Sequence, residues 1–326
     1  MAPLARRGQR DRPTPPDGVD RESPRLRIAA PDSKESALNT SPELIASLND
    51  DLAMEHGAIL QYVVHGVQLR DSALGDLVRR TSREEMWHLE WLVEAIKARG
   101  GEPTLERADI VTSASITESI EVDTATEERA LAHYGATLEL VGDTDPELTA
   151  LIGRIVDDER HHRHAFADLA EAIAADGDAA HTATPAIDPA EFAVIGPVIG
   201  TEYGNVLQYL WNKYGVGDCE AGEKYFELAV DEMRHVLWAA AYTSGFGKPQ
   251  APPMPPEWVR LPSDSAAALR AADEVEERTE GLYEGMVAAA QDPRLKADLE
   301  RAQGQHAYHR HVLGRMGDDT SRPEAL

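Results

Sequence analysis

The sequence predicts an all-α chain of two tandem four-helix bundles joined by a short linker, and three observations lead there. Apolar residues recur in steps of three and four through one long segment after another, the period of a helix with one buried stripe. A Glu-x-x-His step appears as Glu85-Met86-Trp87-His88 and returns as Glu159-Arg160-His161-His162 and Glu232-Met233-Arg234-His235. The first half of the pattern then recurs at an offset of 147 residues, as expected of a duplicated bundle.

Residues 1–40 are rich in Pro, Arg, Asp and Ser without apolar periodicity, and a disordered tail is expected there. Ser41-Pro42-Glu43 reads as a helix start, with Ser41 as N-cap and Pro42 at the first helical position. Leu44, Leu48, Leu52, Glu55, Ile59 and Tyr62 share one stripe, so Glu55 should face the core, where an acid needs a function. A second helix is expected from Ser72 to Arg99, carrying Glu85 and His88 and ending at Gly100-Gly101 before Pro103. From there to Thr126 the chain is long and polar, which predicts a crossover along the outside of the bundle.

The third helix is expected to begin near Ala125. Its seam of Glu127, Leu131, Tyr134, Leu138 and Val141 turns Glu127 inward and leaves Glu128 beside it. After the turn at Gly142-Asp143-Thr144-Asp145-Pro146, a fourth helix carries Leu148, Leu151, Ile152, Ile155, Glu159, His162 and Phe166. The boundaries that follow are a first bundle over 41–176, a linker over 177–188, a second bundle over 189–316 and a tail over 317–326.

Two periods are nested in the repeat. Glu55-x-x-Ala58-x-x-x-Tyr62 is echoed by Glu127-x-x-Ala130-x-x-x-Tyr134, and each is followed by its Glu-x-x-His about 30 residues later. At the larger offset Glu55 maps to Glu202, Gln61-Tyr62 to Gln208-Tyr209, Glu85-Met86-x-His88 to Glu232-Met233-x-His235, and His162 to His309. Glu127 and Tyr134 match Glu276 and Tyr283 two residues later than that offset, and a proline-studded crossover recurs over Gly245 to Ser263. One position breaks the pattern: Glu159 corresponds to His306, which gives His306-x-x-His309, with Gln303-x-x-His306 as a competing register.

A net charge of −26 and a pI near 4.8 repel phosphate backbones and anionic lipid, so neither nucleic acid nor a membrane surface is an expected partner. No run of about 18 apolar residues is present, so no membrane span is expected. Arg6-Arg7 lacks the apolar stretch of an export signal. Cys219 is the only cysteine, which excludes an intramolecular disulfide and a thiolate cluster and fits a reducing cytoplasm.

Each Glu-x-x-His step puts a carboxylate and an imidazole on one helix face, a metal-ligand pair. The first half gathers Glu55, Glu85, His88, Glu127, Glu159 and His162. Four buried carboxylates repel one another unless protons or cations neutralise them, and the mixed oxygen and imidazole set favours Fe or Mn. The second half offers Glu202, Glu232, His235, Glu276, His306 and His309, read either as a site for a single metal ion or as an altered domain kept for packing. His56, His65, His133, His161 and His164 read as surface groups or surroundings of the site. Tyr62, Tyr134, Tyr209 and Tyr283 read as core residues with hydrogen-bonded hydroxyls, or as an electron relay.

Leu48-Asn49-x-x-Leu52-x-x-Glu55-x-x-Ala58-x-x-Gln61-Tyr62-x-x-His65, followed by Glu85-Met86-x-His88 and Gly101-x-Pro103, resembles the opening of a bacterioferritin, and the third and fourth helices resemble rubrerythrin relatives. The resemblance to the ferritin-like superfamily covers residues 41–175 and, more weakly, 189–314. It implies two iron ions in the first bundle, with Glu85 and Glu159 bridging, Glu55 and Glu127 terminal, and His88 and His162 each capping one ion. Three functions follow as expectations. The first is a diiron oxidoreductase acting with O₂ or peroxide, with room for a small organic substrate. The second is a ferroxidase and iron-storage protein, for which a homo-oligomer would be required. The third is a helical interaction protein with a relic site.

Overall fold

In the computed structural model, α1 (Pro42–Gly66) opens as the sequence predicts, the Ser41 hydroxyl accepting a hydrogen bond from Leu44 N at 3.2 Å with Pro42 in the first turn. The residues described are 40–70, 72–216, 219–246 and 258–320. The tail expected over residues 1–40 lies outside them but for its last residue, as do residues 321–326 and the middle of the second crossover, 247–257. Next come α2 (Ser72–Ala98), α3 (Ile116–Val141), α4 (Pro146–Asp176), the short α5 (Asp178–His181), α6 (Pro189–Gly215), α7 (Cys219–Thr243), α8 (Ser265–Ala289) and α9 (Pro293–Thr320). No strand occurs among the described residues, whose one isolated bridge joins Leu69 and Thr182.

One capping device recurs along the chain. Asp145, Asp188 and Asp264 each accept a hydrogen bond from a backbone N–H two or three residues on, as Ser41 does, and the first two are followed by proline as Ser41 is. The third helix begins about nine residues earlier than expected. Ser115 caps it by accepting from Glu118 N at 3.1 Å, and Ile116, Ile120 and Asp123 bury the first two turns, so tertiary burial overrides the weak helix preference of a Thr-, Ile- and Val-rich stretch. The last helix also runs past the predicted boundary at 316 to Thr320, and α5 lies within the predicted linker.

Helices α1 with α2 and α3 with α4 pair as hairpins, joined through α1 and α3; α6 to α9 repeat the arrangement. The first crossover, residues 101–115, is clamped to α1 by polar side chains of that helix: Asn49 Oδ1 accepts from Thr104 N (2.7 Å) and Gln61 Oε1 from Val111 N (3.0 Å). Ala108 N donates to Ala53 O at 2.7 Å. This close approach needs Gly57, since a Cβ there would sit 2.9 Å from Ala108 O. Gln208 does the work of Gln61 in the second set of helices, bonding to both backbone groups of Arg260.

The two sets share one apolar core. Trp87 meets Phe226 with ring centroids 5.2 Å apart, and Lys213 forms an ion pair with Glu90. His56, expected at the surface or near the site, is instead buried at this junction. Its Nδ1 donates to Glu106 O at 3.1 Å and its Nε2 accepts from the Tyr203 hydroxyl. Burial keeps the ring neutral by pushing its pKa down to about 4. His56 and Tyr203 stand 147 residues apart, the offset of the sequence repeat.

Candidate metal centre

The four long helices of the first set bring Glu55 (α1), Glu85 and His88 (α2), Glu127 (α3), and Glu159 and His162 (α4) to one place, each at most 5% exposed. Their ligand atoms fall into two overlapping groups, Glu55, Glu85, His88 and Glu159 in one and Glu85, Glu127, Glu159 and His162 in the other, all within 4.8 Å of one another in each group. Glu85 and Glu159 belong to both. Glu128 is exposed, in keeping with the apolar seam that selects Glu127.

Distances show how the atoms converge. His88 Nδ1 lies 2.7 Å from Glu85 Oε2 and 2.9 Å from Glu159 Oε1; His162 Nδ1 lies 2.9 Å from Glu85 Oε1. Despite this closeness both Glu85 oxygens, Glu159 Oε1 and both Nδ1 atoms have no hydrogen-bond partner. Buried polar atoms left this way are costly. Atoms that crowd together without hydrogen-bond geometry are arranged as donors around a cation, and the set fits a pair of divalent ions.

Electrostatics agree with that fit. Burial raises the Glu55 and Glu127 carboxyls well above the ordinary range, helped by the Glu159 charge beside each. For His88 and His162 burial pulls downward, but the Glu85 charge and carboxylate hydrogen bonds outweigh it and raise both. Without a cation the cluster therefore holds protons, and ions entering it would displace them.

A ring of supporting groups surrounds the six. Tyr62 on α1 donates to Glu127 on α3, and Tyr134 on α3 donates to Glu55 on α1. The tyrosines thus clamp the carboxylates across the bundle, in accord with the core-hydroxyl reading. On the outside, His162 Nε2 meets Glu84 Oε2 at 2.9 Å and His88 Nε2 meets Asp158 Oδ2 at 3.5 Å. Such carboxylates fix the tautomer and leave Nδ1 free to ligate. The Glu-x-x-His spacing does not mark Glu84 and Asp158 as partners, although an acid precedes the glutamate in all three steps, as Glu84-Glu85, Asp158-Glu159 and Asp231-Glu232. Glu84→Ala is expected to weaken divalent-ion binding about 10–100-fold, measurable by Co(II) titration, with far-UV circular dichroism unchanged because Glu84 is half-exposed.

Two buried acids also escaped the sequence reading. Asp51 and Asp123 lie one turn before Glu55 and Glu127, and both are fully buried. Asp123 pairs with His65 Nδ1 at 2.7 Å and accepts from Gln61 Nε2 at 3.0 Å, which places His65 beside the site. Asp51 accepts from Thr137 at 2.6 Å, with half-exposed His133 3.9 Å away. Their counterparts in the second set are Val198 and Ala272. His161 and His164 are exposed.

The second set brings all six of its predicted residues together as well. Glu202, Glu232, His235 and His306 form one group, and Glu232, Glu276, His306 and His309 another, all buried. Tyr209 donates to Glu276 and Tyr283 to Glu202, the same crossed clamp. No helix of the described residues is long and apolar enough to cross a membrane.

Comparison with known proteins finds a match to the ferritin-like domain family over residues 45–175. A bacterioferritin of Desulfovibrio desulfuricans is 30% identical over 141 residues, which are 42% of this chain and 79% of that protein. Among solved structures, a Desulfovibrio desulfuricans bacterioferritin described with a diiron site aligns with a TM-score of 0.41 at 25% identity, over 45% of this chain and 88% of the other. A mycobacterial bacterioferritin aligns at 0.40 and 26% identity, over 43% and 89%.

Proposed function

From the premise that this chain belongs to the ferritin-like family, we propose that its first bundle, residues 41–176, is a dinuclear iron-oxidising centre of the bacterioferritin type. One observation carries the proposal: six buried ligand residues form two groups that share Glu85 and Glu159. In this reading Glu85 and Glu159 would serve both iron ions, Glu55 and His88 would complete the ligands of one, and Glu127 and His162 those of the other. Four carboxylates balance the charge of two divalent ions. Manganese fits the same donors.

When bound, a pair of Fe(II) ions supplies two electrons, enough with two protons to take O₂ to hydrogen peroxide. The protein's own share is positional. Tyr62 and Tyr134 hold the terminal carboxylates, Glu84 and Asp158 orient the imidazoles, and the surrounding core excludes water. The second bundle, residues 189–316, is read as a diverged copy of the first, a reading supported by the repeat and by the meeting of His56 with Tyr203.

Iron oxidation and storage replaces the oxidoreductase with an organic substrate as the leading reading, because a relative 30% identical over 141 residues is a bacterioferritin. Anaerobic Fe(II) loading followed by a pulse of O₂ tests it. Rapid oxidation saturating at two irons in the first bundle, with about one O₂ consumed per pair, is expected. Absence of saturable oxidation would sink the proposal. Sedimentation of the same sample separates storage from oxidation alone, since storage requires a closed assembly of many copies around a cavity.

A further inference from the structure

We propose that the second cluster is a single-cation site for an imidazole-preferring divalent ion of the Zn(II) class, held by Glu232, Glu276, His306 and His309. The proposal does not depend on the iron chemistry of the first bundle. It rests on what His306 does in the place of a shared carboxylate. A carboxylate can turn both oxygens to one side and bridge two neighbouring ions. An imidazole has nitrogens facing opposite ways, and those of His306 are already divided: Nε2 lies 3.1 Å from Glu202 Oε1, while Nδ1 lies 2.9 Å from Glu276 Oε2 and 3.6 Å from Glu232 Oε1. With the proton assigned to Nε2 by the Glu202 contact, one lone pair is left, enough for one ion.

The position of that ion follows from the atoms around it. His309 Nδ1 sits 3.2 Å from Glu232 Oε1 and 3.3 Å from Glu276 Oε1, so both imidazoles aim Nδ1 at the same two carboxylates. Glu232 is fully buried and its Oε1 has no hydrogen-bond partner. Behind the rings, His306 is backed by Glu202 and His309 Nε2 by Asp231 Oδ2 at 3.6 Å, carboxylates placed to orient ligating histidines. Glu202 has changed role. Its oxygens accept from Tyr283, from Asn205 Nδ2 at 2.9 Å and from His306, so it supports a ligand instead of being one. On the other flank, His235 Nε2 meets the amide oxygen of Gln305 at 2.7 Å, where the first bundle has Asp158.

Charge and donor type select the ion. Two ligating carboxylates balance one divalent cation, as four balance two in the first bundle. Two imidazoles and two carboxylates make a four-donor set suited to Zn(II) or its spectroscopic stand-in Co(II).

The test counts ions on the full chain. After chelator treatment, Glu85→Ala, which removes a shared ligand of the first bundle, is titrated with Zn(II) and with Co(II). One tightly bound ion is expected, with Co(II) showing the intense visible bands of four-coordination. That ion should be lost in Glu85→Ala/His309→Gln and kept in Glu85→Ala/His235→Gln, and His306→Glu should raise the second-bundle count to two. A count of zero in Glu85→Ala, or a second ion there that Glu85→Ala/His235→Gln removes, overturns the proposal. Retention of the ion in the His309 variant, or its loss in a folded His235 variant, overturns the ligand assignment.

Discussion

Glu85→Ala is expected to empty the first centre of both its ions and to lower O₂-dependent Fe(II) oxidation by more than about 100-fold, beyond the 10–100-fold typical of an outer partner. Both oxygens of Glu85 lack a hydrogen-bond partner and lie against different histidines, Oε2 by His88 and Oε1 by His162. Removing the residue therefore opens both positions at once, whereas Glu55→Ala or Glu127→Ala should spare one. Thermal unfolding offers a second readout. The parent chain should gain stability on adding metal, by about 4 kcal/mol per bound ion at a free concentration 1,000 times the dissociation constant. In Glu85→Ala the first-bundle share of that gain disappears, and the metal-free form falls, because the charge that holds the protonated His88 and His162 rings has gone and a cavity replaces the side chain. Exposed Glu128 provides the control: Glu128→Ala should change neither iron oxidation nor the metal response.

Much of this site could be read from spacing alone, and the reason is geometric. Stripe position shows which residues of a helix face inward, so Glu55 and Glu127 emerged from their own helices, and the Glu-x-x-His steps fixed the rest. Spacing says nothing about partners across the bundle. The Tyr62–Glu127 and Tyr134–Glu55 clamps join residues 65 and 79 positions apart, and only packing reveals them. His56 reads as a surface group or a neighbour of the site because nothing on its own helix predicts Glu106 O on one side of the ring and Tyr203 on the other. The start of α3 was placed late for a different reason: Ile116, Thr117, Ile120, Val122 and Thr124 weaken the local helix signal, while Ser115 and the burial of Ile116 and Ile120 set the real beginning. Asp51 and Asp123 give no signal in the sequence because an acid one turn from a ligand adds nothing to a ligand count. Their significance appears only beside Val198 and Ala272.

That contrast leads to the second large effect, which concerns pH. Burial pushes the Asp51 carboxyl from 3.8 up to about 7; the Thr137 hydrogen bond pulls it back in part, and the Asp50 charge adds to the rise. Its Oδ1 has no hydrogen-bond partner and lies 3.9 Å from half-exposed His133, while Tyr134 on the facing helix feels its charge. A folded-state pKa above the unfolded one means that the folded chain binds more protons between about pH 4 and 7, so this group makes stability fall as pH rises through that window. The shift of about three pH units, at about 1.4 kcal/mol each, sets a ceiling of about 4 kcal/mol. Asp51→Asn keeps an oxygen for Thr137 and removes the charge. In metal-free protein it should unfold at a higher temperature than the parent at pH 8, match it near pH 4, and show a flatter pH profile between. The parent-minus-variant difference isolates Asp51 from the other buried acids, which titrate in both chains. If Asp51→Asn proves less stable than the parent at pH 8, the carboxylate is held ionised in the folded chain and burial does not raise its pKa.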